Sequence, residues 1–88
     1  MNMRIDLFLR NSGIVPRRTL AQKACNGGLV KIDGRTAKPS SEVAAGQEVA
    51  VQLGMSRKRY RVLVLPNRPV AKAARGDIAE LIESEGIG

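Results

Sequence analysis

The sequence holds one cysteine, no histidine and no tryptophan, and its only aromatic side chains are Phe8 and Tyr60. A lone cysteine excludes an internal disulfide. Without histidine there is no clustered Cys/His zinc site and no histidine-dependent acid–base chemistry. As a nucleophile, Cys25 would lack its usual base. It precedes Asn26-Gly27-Gly28 at a predicted helix end, and it reads as an ordinary buried small residue. Paired carboxylates in a plausible cleft and a serine with a base are missing too. Gly27-Gly28 leads into an extended run, not a helix, so it reads as a helix C-cap and not as a phosphate loop. No cofactor and no catalysis are expected. No apolar run approaches the roughly 18 residues that span a membrane. The start, Met1-Asn2-Met3-Arg4-Ile5-Asp6, mixes charge with apolar residues and is unlike a secretory signal. The chain is therefore expected to be cytoplasmic, with no membrane partner. With so few aromatics, the core must come from Leu, Ile, Val and Ala, and 88 residues leave room for a modest one.

Positive charge is what the sequence has in plenty. The formal net charge is +7, and it is uneven. Residues 1–65 hold twelve Lys and Arg against Asp6, Asp33, Glu42 and Glu48. Residues 66–88 hold Arg68, Lys72 and Arg75 against Asp77, Glu80, Glu83 and Glu85. A basic body with a near-neutral tail points to a polyanion partner. Charge alone does not separate RNA from DNA or anionic lipid.

Periodicity predicts an α+β chain. Ile5, Phe8 and Leu9 share one face of a short helix from Arg4 to Arg10, with Asp6 in the first turn, where the helix dipole favours an acid, and able to pair with Arg10. Asn11-Ser12-Gly13 stops it. A second helix is predicted from about Pro16 to Asn26. Leu20, Ala21, Ala24 and Cys25 form its apolar face, and Arg18, Thr19, Gln22, Lys23 and Asn26 the other, with Arg17 in the first turn. Leu29 to Ile32, Asp33-Gly34 and Arg35 to Ala37 read as a hairpin, because a type I′ turn needs positive φ at both central residues. Two alternating runs follow. Val49, Val51 and Leu53 lie on one side of the first, and Tyr60, Val62 and Val64 point inward from the second. The expectation is two short N-terminal helices packed on a small antiparallel sheet of about four strands. Arg57-Lys58-Arg59-Arg61 reads as a charged sheet edge or a second RNA contact, with the edge role preferred. Pro66-Asn67-Arg68-Pro69 marks a boundary, dividing a domain at 1–65 from an extension at 66–88. Ile78, Leu81 and Ile82 have helical spacing among acids, which predicts a terminal helix to about Ser84, packed on the sheet or partly frayed. Gly76 weakens its first half.

The order helix, basic helix, glycine, strand, Asp-Gly, strand resembles the alpha-L RNA-binding motif, also called the S-four domain. The matching segments are Arg4-Ile5-Asp6-Leu7-Phe8-Leu9, Arg17-Arg18-Thr19-Leu20-Ala21, Gly28-Leu29-Val30-Lys31-Ile32-Asp33-Gly34, Ala37-Lys38-Pro39-Ser40 and Ala45-Gly46-Gln47-Glu48-Val49. The five segments match in order, and the resemblance covers about residues 3–65. "RRTLA" and the short length are most similar to stand-alone bacterial members that act in ribosome-associated quality control or as a ribosome-associated heat-shock protein. The resemblance implies a monomeric, non-catalytic protein of the translation machinery. It would bind ribosomal RNA of the large subunit and tRNA, on subunits that still hold peptidyl-tRNA on a stalled chain, and act beside a tail-adding quality-control factor. It puts the RNA contacts on Arg4, Asp6, Arg17 and Arg18, with Lys31 and Arg35 at the hairpin; Asp6 then reads either as a helix-start acid paired with Arg10 or as a group that orders Arg4 or Arg18. Arg10, Lys23 and Lys38 complete the candidate basic surface. The chain departs from the family at Gly13 and Pro16, where a basic residue is more usual. Two other readings stand beside it: an accessory module acting with an RNA-modifying enzyme, and a protein–protein adaptor whose basic surface is incidental.

Overall fold

A computed structural model of the protein describes residues 2–86. In chain order the elements are β1 (Asn2–Arg4), α1 (Ile5–Ser12), α2 (Arg18–Asn26), β2 (Val30–Ile32), β3 (Arg35–Thr36), β4 (Glu42–Ala44), β5 (Glu48–Leu53), β6 (Ser56–Val62), a 3-10 helix (Lys72–Asp77) and β7 (Ala79–Gly86). The α+β class holds, but with seven strands in place of about four. β1 and β4 make a small antiparallel pair, and the main sheet runs β3-β2-β5-β6-β7, antiparallel throughout.

Local chemistry explains most boundaries. Ile5, Phe8 and Leu9 are fully buried on one face of α1. Gly13 ends that helix at φ 83, a conformation that costs a residue without Cβ nothing. Arg4 sits in β1 and not in the helix, because Asn2–Arg4 pairs with Glu42–Ala44. Helix α2 starts at Arg18, two residues after Pro16, and the left-handed exit falls on Gly28 at φ 75. Ala21, Ala24 and Cys25 are buried, whereas Leu20, read as part of the same face, is exposed. The β2–β3 hairpin turns on Asp33 (φ 49) and Gly34 (φ 83), as a type I′ turn requires. Asp33 also braces the sheet, accepting from the Glu48 N–H at 2.9 Å and from Gln47 at 3.0 Å.

Two expectations are overturned. The terminal helix does not form: Ala79–Gly86 is strand β7, hydrogen-bonded along β6, and only the 3-10 turn before it is helical. Ile78 and Ala79 are buried, but Leu81 and Ile82 are exposed, so the apolar spacing marks no buried helical face. Cross-strand charge favours the strand. Glu83 stands opposite Arg59 and Glu85 opposite Arg57, with ion-pair distances of 3.7 Å each. The second correction follows from the first. With β7 in place, the Arg57–Arg61 strand is interior and is no edge. Val64 also lies beyond β6 and is exposed instead of facing inward. Among the described residues, no helix is long and apolar enough to cross a membrane.

Candidate RNA interface

A buried carboxylate organises the first turn of α1. The Asp6 side chain is entirely shielded from solvent, which is tolerable only when its lone pairs are filled. Leu7 N–H donates to Oδ1 at 2.7 Å, and Gln22 Nε2 donates to Oδ2 at 3.0 Å. Arg4 grips both oxygens, through Nε at 3.3 Å and Nη2 at 3.2 Å. Arg18 Nε donates to Oδ2 at 3.3 Å. Burial disfavours the ionised form, but the hydrogen bonds from Gln22, Arg4 and Leu7 and the charge of Arg18 outweigh it. The carboxyl is held below its ordinary value of 3.8. Of the two readings of Asp6, the structure has the one in which it orders Arg4 and Arg18; Arg10 donates instead to its neighbour Asn11 at 3.4 Å. The carboxylate turns towards α2, where Arg18 and Gln22, one helical turn apart, both reach it.

The consequence is a pair of arginines fixed at one end. The Arg4 and Arg18 side chains remain 49% and 44% exposed. Arg18 commits one of its five N–H donors to Asp6, and Arg4 two. The remaining donors are available to an external acceptor, and a guanidinium fork suits phosphate oxygens and exposed bases.

The other predicted residues divide. Arg17 is extended and exposed just ahead of α2, and Lys23 is exposed in its last turn. Arg10 is exposed in the last turn of α1. Lys38 shares a groove with Arg4, Asn26 and Gly28, so β1, the end of α2 and the loop after β3 converge there. Arg10, Arg17, Lys23 and Lys38 make no ion pair among the described residues. Lys31 is not part of this surface. It lines a groove on the outer face of the sheet with Arg57, Arg59, Glu48 and Glu83. Arg35 borders a third hollow with Asp33 and Glu42. Sequence reasoning missed Gln22; the signal was its place one turn after Arg18, on the polar face of α2.

The β6 arginines are engaged internally. Arg61 donates to Glu48 at 3.2 Å and to the Gly46 carbonyl at 3.3 Å. Arg59 lies 3.7 Å from Glu83 and 3.9 Å from Glu48, and Arg57 lies 3.7 Å from Glu85. The arginines of β6 therefore spend their charge within the sheet, and the outlying cations of the helical end do not.

The chain has known relatives. Residues 3–49 match the family model of the S4 domain. Over 64 residues the chain is 42% identical to the RQC P-site tRNA stabilizing factor of Helicobacter pylori, covering 73% of this chain and 76% of that protein. It is 33% identical over 86 residues to the Bacillus subtilis protein of the same name, covering 98% and 99%. The fold is similar to that of Vibrio cholerae Heat Shock Protein 15, with a TM-score of 0.85 over 92% of this chain and 82% of that one, at 22% identity. The matched segment contains Met3 and Arg4 of β1, helices α1 and α2, the β2–β3 hairpin, β4 and the start of β5, and so every residue around Asp6. The chain belongs to the S4-domain family.

Proposed function

We propose that this chain is a non-catalytic RNA-binding protein of the large ribosomal subunit, contacting ribosomal RNA and P-site peptidyl-tRNA during quality control of stalled nascent chains in the cytoplasm. The observation that carries the reading is the Asp6 cluster: a buried carboxylate presents two half-exposed arginines, with further unpaired cations around them. Such preorganisation spares part of the entropy of fixing long side chains on binding. The names of the relatives supply the P-site tRNA and the quality-control setting. Arg4, Asp6, Arg17 and Arg18 form the centre of the contact, Asp6 as a positioning residue. Arg10, Lys23 and Lys38 extend it, whereas Lys31 and Arg35 line separate hollows on the sheet. Backbone and shape readout fits a cationic surface that lacks exposed aromatic rings at this end. A tail-adding factor would bind elsewhere on the same subunit.

The test is co-sedimentation with large subunits carrying peptidyl-tRNA. Arg18→Ala should weaken binding by about 1–3 kcal/mol, the range for a lost bidentate contact. Folding should hold, because Arg4, Gln22 and the Leu7 N–H still serve the Asp6 carboxylate. Arg18→Glu should be worse, through added repulsion. Arg61→Ala should change little, since Arg61 serves Glu48 and Gly46. Loss of co-sedimentation for Arg61→Ala with none for Arg18→Ala would place the RNA on the sheet and sink the reading.

A further inference from the structure

A second concave surface opens beside the loop that joins the two helices. It has a volume of about 360 Å³ and is bordered by Ser12, Gly13, Ile14, Lys58, Tyr60 and Arg75. No carboxylate lines it. A neighbouring hollow shares Ile14, Lys58 and Tyr60 and is also free of acids. Lys58 and Arg75 are exposed and make no ion pair among the described residues. They differ in this from Arg57, Arg59 and Arg61 of the same region, each of which faces a glutamate.

The groove is built from distant parts of the chain. Gly13 sits at φ 83, and a Cβ there would collide with the Arg75 guanidinium. The missing side chain lets Arg75, from the 3-10 helix, lie across the inter-helix loop. The loop has no cation of its own between Arg10 and Arg17; the C-terminal segment delivers one. On the other wall the pleat of β6 sends Lys58 and Tyr60 to the opposite face from its three arginines. Tyr60 is half-buried, so part of its ring is supported by the core while the rest borders the groove.

We propose that this groove takes an unpaired RNA nucleotide, with its phosphate between Lys58 and Arg75 and its base against Tyr60. Two uncompensated cations attract a backbone phosphate. An aromatic ring beside them accepts any base, because every base has a π-face. A duplex would not enter, since its bases are already stacked. The inference rests on the RNA-binding reading above, but it concerns a different surface and a different form of RNA.

The experiment uses the full chain and two labelled probes, an RNA hairpin and the same hairpin with a short single-stranded tail, followed by fluorescence anisotropy. The tailed probe should bind several-fold tighter to the unaltered protein. Lys58→Ala and Arg75→Ala should each abolish that advantage. They should also flatten the dependence of log K on log salt by about 0.7, the slope for one phosphate of a single strand, while leaving the blunt hairpin unchanged. Tyr60→Leu keeps apolar bulk but removes the ring, and it should cost the tailed probe roughly fivefold, the low end for one stacked base. Arg18→Ala should weaken both probes alike, because it reports on the helical site. A tail that confers no advantage overturns the proposal, as does equal weakening of both probes by Lys58→Ala and Arg75→Ala. Binding to neither probe would instead overturn the RNA-binding reading itself.

Discussion

Asp6→Asn isolates the group on which the helical site depends. The amide matches the carboxylate in shape, and its oxygen can still accept from the Leu7 N–H. Its NH2 would then face Gln22 and Arg18, donor against donor. Breaking a fully buried ion pair by removing one partner costs about 3–5 kcal/mol. Arg4 and Arg18 are about half exposed, and exposed pairs are worth at most about 1 kcal/mol each. Solvent therefore recovers much of the lost interaction on the arginine side. The Gln22 bond to a charged acceptor, worth about 1.5–3 kcal/mol, is lost outright. The net destabilisation comes to about 2–3 kcal/mol. With a urea m-value of about 1 kcal/mol/M for a domain this small, the unfolding midpoint at neutral pH should fall by about 2–3 M.

The pH dependence gives an independent check. The folded-state pKa of Asp6 is lowered from 3.8, so its contribution is present above that unfolded value and lost as pH falls through the lower folded one. The gap between the unaltered chain and Asp6→Asn should be constant near neutrality. It should begin to close below about pH 4 and disappear in stronger acid. Every other acid is common to both proteins and cancels. Subunit binding should weaken as well, by about 1–2 kcal/mol, because two long side chains then have to be ordered on binding. Equal urea midpoints at neutral pH, or a gap that persists unchanged into strong acid, would refute the assignment of Asp6 as the organising group.

The two remaining predictions concern the rest of the fold. Deleting residues 66–88 removes β7, which pairs with β6 from Ser56 to Val62, and takes the Pro66 carbonyl from the buried Asn11 amide that donates to it at 3.1 Å. The shortened chain should show no cooperative urea transition by circular dichroism; a transition near the original midpoint would show the sheet closing without β7. Cys25 is buried, and that burial, with the nearby Asp6 charge, pushes its thiol up to about 11. It should resist iodoacetamide at neutral pH until urea unfolds the chain, and mass spectrometry showing rapid labelling of the native protein would contradict that environment.

The N-terminal half was legible because its signals are local. Ile5, Phe8 and Leu9 repeat at helical spacing, Gly13 and Gly28 stop the helices, and Asp33-Gly34 dictates a turn that few other pairs adopt. The basic face of α2 could be drawn from spacing alone. The partner of Asp6 could not. Arg10 lies at the favoured i+4 distance on the same helix, yet the contact is made across to α2, and only packing decides between the two. The tail departs from its expected helix for a similar reason. Ile78, Leu81 and Ile82 fit a helix, but the arginines of β6 needed a row of acids opposite, and that requirement is invisible until β6 is known to lie inside the sheet. Leu20 shows the limit from the other side, an apolar residue at the expected helical angle that the fold leaves 44% exposed.

The same long-range pairing separates the cations by task. Arg57-Lys58-Arg59-Tyr60-Arg61 looks like one basic cluster in the sequence. In a pleated strand alternate residues face opposite ways, so the cluster is two surfaces. The odd-numbered arginines meet Glu48, Glu83 and Glu85, and their charge is consumed holding β5, β6 and β7 in register. Lys58 and Tyr60 emerge on the other face, where no acid waits. A strand face with glutamates on both neighbours cannot also be a strong phosphate site, because a phosphate would have to displace carboxylates already in place. The attraction for RNA therefore falls to cations that the fold leaves uncompensated. Those lie on the two helices, on the loop after β3, and where Arg75 crosses Gly13 beside Lys58. Net charge marks the chain as a polyanion binder; strand register decides which of its charges are free to bind.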